Sequence, residues 1–115
     1  MTIITALHYQ DFFLTMERAH QTALVIFSTE RCGTCRKLKT IIQKEELSIP
    51  VFDVSASAAL GLVEEFSILH FPTLILYKSG NFHRFFSPDL RIDIQQQVIE
   101  ALNHPPQDDP SCSMD

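Results

Sequence analysis

Two cysteines separated by two residues, Cys32-Gly33-Thr34-Cys35, are the residues of this sequence best suited to chemistry. They follow the apolar run 23–27 and precede a helix-forming stretch from Arg36 to about Glu46. Thiols at this spacing can close a small disulfide ring, and the N–H groups and partial positive charge of a helix N-terminus stabilise a thiolate. One cysteine can then attack a disulfide while the other releases the mixed intermediate. The spacing and its context therefore predict a redox site.

A single Cys-x-x-Cys motif also fits half of a zinc site or part of an iron–sulfur site. Structural zinc needs four ligands, and the sequence has no second Cys-x-x-Cys and no His-x₃₋₅-His pair. Cys112 and His70 complete a four-ligand set only if the C-terminal residues fold back. The strand–helix context favours redox use, so no metal is expected.

The composition predicts one compact globular domain. The chain has 115 residues, of which 45% are hydrophobic and 20% charged, with a formal net charge of −5. This acidic balance gives no reason to expect nucleic-acid binding. No apolar run approaches the roughly 20 residues that cross a bilayer, so no membrane partner is expected.

Cysteine usage and the N-terminal residues indicate a reducing compartment. Three cysteines do not suggest a secreted disulfide framework. No Lys or Arg precedes Arg18, so the N-terminal residues do not resemble a secretory signal. A cytoplasmic location is therefore predicted.

The periodicity of apolar residues predicts nine elements in the order βαβαβαββα. Continuous apolar runs are typical of strands buried on both faces, and the order requires a mixed central sheet with helices on both faces. Residues 104–115 have too little apolar surface to order themselves. The sequence thus predicts an α/β domain over 1–103 and a disordered tail over 104–115. The strands are expected at 2–7, 24–27, 51–54, 73–77 and 82–86, and the helices at 9–20, 36–46, 57–66 and, for the last, from Ser87-Pro88-Asp89 through Leu102.

Three segments of the sequence resemble the thioredoxin family. Residues 26–36, which contain both cysteines, are similar to its active-site segment. Phe71-Pro72-Thr73-Leu74 is similar to the loop that holds its cis-proline, and Lys78-Ser79-Gly80 resembles the hairpin turn that follows. The resemblance covers roughly residues 2–103 and implies a thioredoxin fold.

By this resemblance the protein is an enzyme that reduces or exchanges protein disulfides. Cys32 would be the exposed nucleophile and Cys35 the buried resolving thiol. Pro72 would be cis and face the disulfide, presenting the backbone of Phe71 to an extended substrate. The reversible Cys32–Cys35 disulfide would carry the electrons without a cofactor, and a flavoprotein reductase would supply them.

Around the two cysteines the sequence departs from the family pattern. Arg31 replaces the usual tryptophan, and the chain has no Trp. Together with the basic residues that follow Cys35, Arg31 is expected to favour acidic partners, although such charges are often only a solvated helix face. Between the two cysteines the family usually has Gly-Pro, and this dipeptide tunes the reduction potential. Here the dipeptide is Gly33-Thr34, so Thr34 replaces the proline. Arg31, Gly33 and Thr34 are nevertheless expected to line the substrate groove.

The buried aspartate of the family is replaced by Ile26, and Asp53 is the proposed substitute. Asp53 lies on the third predicted strand, beside the second, where it could project beneath Cys35 and accept its proton. The alternative is a solvated aspartate at a strand end. His70, two residues before Pro72, is either a groove residue or a bystander.

Two other functions stay open at this point. The first is a binding or chaperone-like module with the same fold and weak redox turnover, which the loss of the tryptophan, proline and aspartate favours. The second is a metal or iron–sulfur ligand holder that uses the same thiols.

Overall fold

The order of strands and helices is the one that the sequence predicts. A computed structural model describes residues 1–19 and 22–110, and short 3₁₀ turns at Tyr9–Asp11 and Ala56–Ala58 precede two of the helices. In this part of the chain no helix is both long and apolar enough to cross a membrane. The elements are β1 (Ile4–Ala6), α1 (Phe12–Ala19), β2 (Ala23–Ser28), α2 (Gly33–Lys44), β3 (Val51–Ser55), α3 (Leu60–Glu65), β4 (Thr73–Lys78), β5 (Asn81–Phe86) and α4 (Ile94–Asn103).

The strands form one mixed sheet in the order β1-β3-β2-β4-β5. β1, β3 and β2 run parallel, whereas β4 is antiparallel to β2 and β5 to β4. Because Phe27 near the end of β2 pairs with Thr73 at the start of β4, the segments beyond them meet at one edge of the sheet. This edge brings Cys32 close to Pro72.

Helices cover both faces of the sheet, which confirms the predicted fold class. Neighbouring side chains of β2 point to opposite faces. Phe27 packs with Phe12 of α1 and Leu62 of α3, whereas Ile26 packs with Leu38 of α2 and, through the same cluster, with the buried residues of α4. α2 is therefore held rigidly against the sheet, and its N-terminus carries the two cysteines.

The last helix begins at Ile94, later than the predicted start at Ser87-Pro88-Asp89. The side-chain amide of Gln97 accepts a hydrogen bond from the backbone N–H of Asp89 and donates one to its carbonyl. These bonds hold the residues before α4 as a loop. Glu45, at the end of α2, then accepts hydrogen bonds from the first N–H groups of α4. These long-range contacts set the start of the helix.

Asp89 is also held as a carboxylate in this loop. Its two oxygens accept hydrogen bonds from the guanidinium and backbone N–H of Arg91, and these hydrogen bonds lower the pKa of Asp89 to about 2. The ion pair is exposed, so its effect is local to the loop.

The third helix is shorter than the predicted 57–66. Ser57 does not cap it, because Ser57 lies in the 3₁₀ turn and its hydroxyl is 3.2 Å from that of Ser55. The helix then starts at Leu60 and ends at Glu65.

Residues 104–110 follow the outer edge of β5, which differs from the disorder expected for 104–115. Gln107 donates its backbone N–H to the carbonyl of His83 and accepts from the N–H of Phe85 through its side chain. The carbonyls of His104 and Pro105 accept from the side chains of His83 and Arg84. The edge strand thus supplies polar partners, whereas the expectation considered only apolar burial. Residues 111–115, including Cys112, lie outside the described residues.

Candidate active site

The two cysteines form a disulfide at the N-terminus of α2. Cys32 is the residue before the first helical residue, and the backbone N–H of Cys35 donates to its Sγ at 3.0 Å. Cys35 is 1% exposed, whereas Cys32 is partly exposed. The outer sulfur can therefore be reached from solvent while the inner one is covered. An N–H group and the helix dipole that both point at Cys32 favour a negative charge on its sulfur.

The loop before β4 lies directly against the outer sulfur. The peptide bond between Phe71 and Pro72 is cis, Pro72 is buried, and the carbonyl oxygen of Phe71 is 3.8 Å from the Sγ of Cys32. The hydroxyl of Thr73 donates to the carbonyl of His70 at 2.7 Å, which fixes the loop on the strand that follows it. The backbone of Phe71 is thus held beside the disulfide.

The remaining predicted groove residues surround the disulfide at the surface. Arg31, Gly33 and Thr34 are all exposed. Arg36, one turn along α2, donates to the carbonyl of Glu30 at 3.0 Å and so closes the loop before the helix. A Cβ on Gly33 would meet only the Arg36 guanidinium, at 3.8 Å, so space alone does not require glycine there.

Asp53 faces α2 and takes part in a polar cluster with Ser28 and Lys39. Its register partner on β2 is Ile26, and paired residues of neighbouring strands point to the same face. Its two oxygens each accept one hydrogen bond of 2.8 Å, from the hydroxyl of Ser28 and from the ammonium of Lys39. The side chains of Lys39 and Asp53 are 29% and 20% exposed, so the pair is largely shielded from solvent.

Sequence reasoning did not identify Ser28 and Lys39 as partners of Asp53, and it assigned Lys39 to the basic rim. Lys39 comes four residues after Cys35, a spacing that places both on the same side of α2. Ser28 comes two residues after Ile26 and shares its face of β2. Both spacings were visible, but their meeting point depends on how β3 pairs with β2.

A cleft of about 510 Å³ opens beside Asp53. His8, Tyr9 and Ser55 line it together with Asp53. Asp53 therefore borders a space large enough to admit water.

His70 is exposed, and its Nε2 lies 3.4 Å from the hydroxyl of Ser87. It follows the exposed Leu69 and precedes Phe71, whose carbonyl lies against the outer sulfur. The structure thus places His70 in the loop that contacts Cys32.

Among residues 1–19 and 22–110, no group of three or more His, Cys, Asp or Glu side chains is arranged to hold a metal ion. Of the zinc ligands considered from the sequence, Cys112 lies outside these ranges.

The chain is similar in sequence to two protein disulfide-isomerases and in fold to a thioredoxin. Human protein disulfide-isomerase A4 is 32% identical over 89 residues, and bovine (Bos taurus) protein disulfide-isomerase A5 is 31% identical over 96 residues. These matches cover 71% and 76% of this chain but only 14% and 18% of the relatives. A mutant thioredoxin from Halobacterium salinarum superposes with a TM-score of 0.74 at 16% identity, over 90% of this chain and 94% of that chain. The structural likeness concerns the fold.

The thioredoxin family model matches residues 3–100, which include both cysteines and Pro72. This match spans most of the chain and agrees with the predicted resemblance. The chain belongs to the thioredoxin family.

Proposed function

We propose that this protein is a thiol–disulfide oxidoreductase that reduces or exchanges protein disulfides through Cys32 and Cys35. The observation that carries the proposal is the asymmetric pair at the N-terminus of α2, with a solvent-accessible outer sulfur and an inner sulfur that is 1% exposed. Membership of the thioredoxin family and the similarity to protein disulfide-isomerases support the same activity.

The reaction needs only the two thiols and a substrate disulfide. The thiolate of Cys32 attacks one substrate sulfur, which forms a mixed disulfide and releases the other substrate sulfur as a thiolate that takes up a proton. Cys35 then loses its proton and attacks the Sγ of Cys32, which releases the second substrate thiol. Two electrons pass to the substrate, and the Cys32–Cys35 disulfide seen in the structure remains.

The groove for the substrate is formed by the residues around the outer sulfur. The backbone of Phe71, next to Pro72, is positioned to pair with an extended chain whose sulfur reaches Cys32. Arg31, Gly33, Thr34 and His70 form the exposed rim. The positive charge of Arg31 favours substrates with acidic residues near the disulfide.

Asp53 is the proposed proton acceptor for Cys35. A carboxylate has about four lone-pair sites, so the hydrogen bonds from Ser28 and Lys39 leave capacity for a proton. Lys39 lies on the same side of α2 as Cys35, and the proton would pass between Cys35 and Asp53 through water. Lys39 then acts as a positioning residue that keeps the carboxylate facing α2.

Replacing Asp53 by asparagine tests this role. We expect the rate of the resolving step, in which Cys35 attacks the mixed disulfide, to fall about 10²-fold at pH 7. This is the lower end of what a general base contributes. The rate should recover as the pH rises, because hydroxide then deprotonates Cys35. Stopped-flow decay of the mixed disulfide between pH 6 and 10 measures this step, with the exposed Asp11→Asn as the matched control. An unchanged pH profile in Asp53→Asn contradicts the role.

A flavoprotein reductase as electron donor and a cytoplasmic location complete the proposal. The reductase is what the family resemblance implies, and the location follows from the small number of cysteines in the chain. A reducing compartment returns the Cys32–Cys35 disulfide to the dithiol that begins the next cycle.

The reduction potential of the Cys32–Cys35 pair, together with turnover, tests the function. With dithiothreitol as donor, the protein should reduce a protein disulfide faster than dithiothreitol alone. Equal rates contradict the proposal. A reduction potential of about −270 mV would indicate a reductant, and one of about −120 mV would indicate an oxidant.

A further inference from the structure

An apolar cavity of about 300 Å³ lies beside the loop that contacts the outer sulfur. This volume is at the lower end of the range for ligand pockets, and it is sufficient for one large side chain. We call it the side pocket. Its apolar walls are formed by Phe66, Ile68, Leu69, Phe85, Phe86 and Pro110.

The side pocket opens at the same edge of the sheet as the disulfide. Phe86, near the end of β5, pairs with Leu74, near the start of β4. His70 also lines the pocket and is followed directly by Phe71, whose carbonyl is 3.8 Å from the Sγ of Cys32. A polypeptide that lies along Phe71 therefore carries its neighbouring side chains past the pocket.

One residue of the pocket wall, Pro110, belongs to the segment 104–110, which lies beyond the part of the chain that the family model matches. Four hydrogen bonds, between 2.7 and 3.0 Å long, join His104, Pro105 and Gln107 to β5. They lead the chain to Pro110, which lines the pocket. Because the match ends at residue 100, this wall is a feature of the present chain in addition to the matched fold.

We propose that the side pocket binds one apolar side chain of the polypeptide whose disulfide Cys32 attacks, and that residues 104–110 act as a specificity element. This inference rests on the proposed function and names its substrate class. Leu69 supports it, because a leucine that is 90% exposed at the mouth of an apolar pocket gains from being covered.

The occupant is a substrate rather than residues 111–115. Residues 111–115 read Ser-Cys-Ser-Met-Asp, which offers one large apolar side chain, Met114, next to an acid. The pocket shares His70 with the groove that a substrate segment enters, and Phe71 beside it contacts the outer sulfur.

Peptide substrates that differ at one position test the inference. Each peptide carries one cysteine as a mixed disulfide with glutathione, and a single Leu or Ser lies two or four residues to either side. In an extended chain these positions point to the same side as the cysteine. We expect Leu to raise kcat/KM about tenfold over Ser at one of these positions, in line with the discrimination that apolar pockets achieve.

Two variants should remove this preference without removing the redox chemistry. Leu69→Ser takes away an exposed apolar wall, and Gln107→Ala removes a hydrogen bond to β5 and so loosens the wall that ends at Pro110. Ile3→Ser is the control for Leu69, because Ile3 is also highly exposed and directly precedes β1, the outer strand on the side of the sheet away from β5. Exposed Gln96→Ala on α4 is the control for Gln107. Turnover of bis(2-hydroxyethyl) disulfide, which has no side chain to place, should be the same in all four variants.

The outcomes separate the inference from the function on which it rests. Equal kcat/KM for Leu and Ser peptides at every position, with turnover of the small disulfide intact, overturns the inference alone. If the wild-type chain does not turn over the small disulfide, the proposed function is overturned and the inference with it. A preference that emerges only in Met114→Ser assigns the pocket to residues 111–115. A dimer in sedimentation that dissociates in Leu69→Ser assigns it to a second copy, and both results overturn the inference.

Discussion

Replacing Cys32 by serine should lower the rate of protein-disulfide reduction by about a thousandfold or more, as expected when a nucleophile is removed. Among residues 1–19 and 22–110, Cys32 is the cysteine that combines access to solvent with an N–H donor aimed at its sulfur, so we expect it to start the exchange. Cys35→Ser should behave differently. It keeps the attacking thiolate but cannot resolve the product, so the protein should accumulate as a stable mixed disulfide with its substrate.

Turnover with dithiothreitol and intact-mass analysis of the trapped adduct measure these two results. Cys112→Ser is the matched control, because it removes a cysteine that has no place in the proposed mechanism, and it should keep the wild-type rate. An adduct on Cys32→Ser, or an undiminished rate in that variant, would assign the nucleophile elsewhere. Partner binding that persists in the double variant Cys32→Ser/Cys35→Ser, without turnover in the wild type, would support the binding-module alternative.

The sequence predicted the fold where local patterns carry the information. The run 23–27 is apolar at every position because β2 lies at the centre of the sheet, and every residue of β2 is buried. The helix predicted from Arg36 follows from its apolar spacing, with Leu38 and Ile42 buried, although it begins three residues earlier, at Gly33. These features depend on a few neighbouring residues, so periodicity was sufficient to find them.

The errors lie where distant residues decide. The start of α4 depends on the carboxylate of Glu45, about fifty residues earlier, and no local signal at Ser87 reveals it. The ordered path of 104–110 depends on the exposed edge of β5. A local pattern cannot contain either contact.

The site divides in the same way. Cys32, Cys35 and Pro72 were predicted as site residues because each belongs to a short motif. The partners of Asp53 were not, because Lys39 and Ser28 meet it only through the pairing of β2 with β3 and the packing of α2 above them. Asp53 was suggested from its place on β3, whereas its hydrogen bonds required the structure.

Phe66→Ala should be the most destabilising single substitution that leaves the redox site untouched. Phe66 is 1% exposed and follows α3 directly. Truncation of a buried phenylalanine costs about 3–5 kcal/mol, from lost apolar burial and the cavity that remains. Five aromatic rings surround it, with centroids between 5.7 and 6.4 Å away, and they belong to Phe12, Phe13, Phe27, Phe82 and Phe85.

Urea unfolding measures the change in the free energy of unfolding, and Leu69→Ala is the control. Leu69 is 90% exposed, so its truncation should change stability by no more than about 0.5 kcal/mol. The midpoint for Phe66→Ala should fall at an unchanged slope, because the surface exposed on unfolding stays nearly the same. A loss below about 1 kcal/mol would mean that the surrounding rings collapse into the space, contrary to the expectation for a rigid aromatic cluster. At low temperature, where the variant is still folded, turnover of a small disulfide should match the wild type, because Phe66 packs on the face of the sheet opposite α2 and the cysteines.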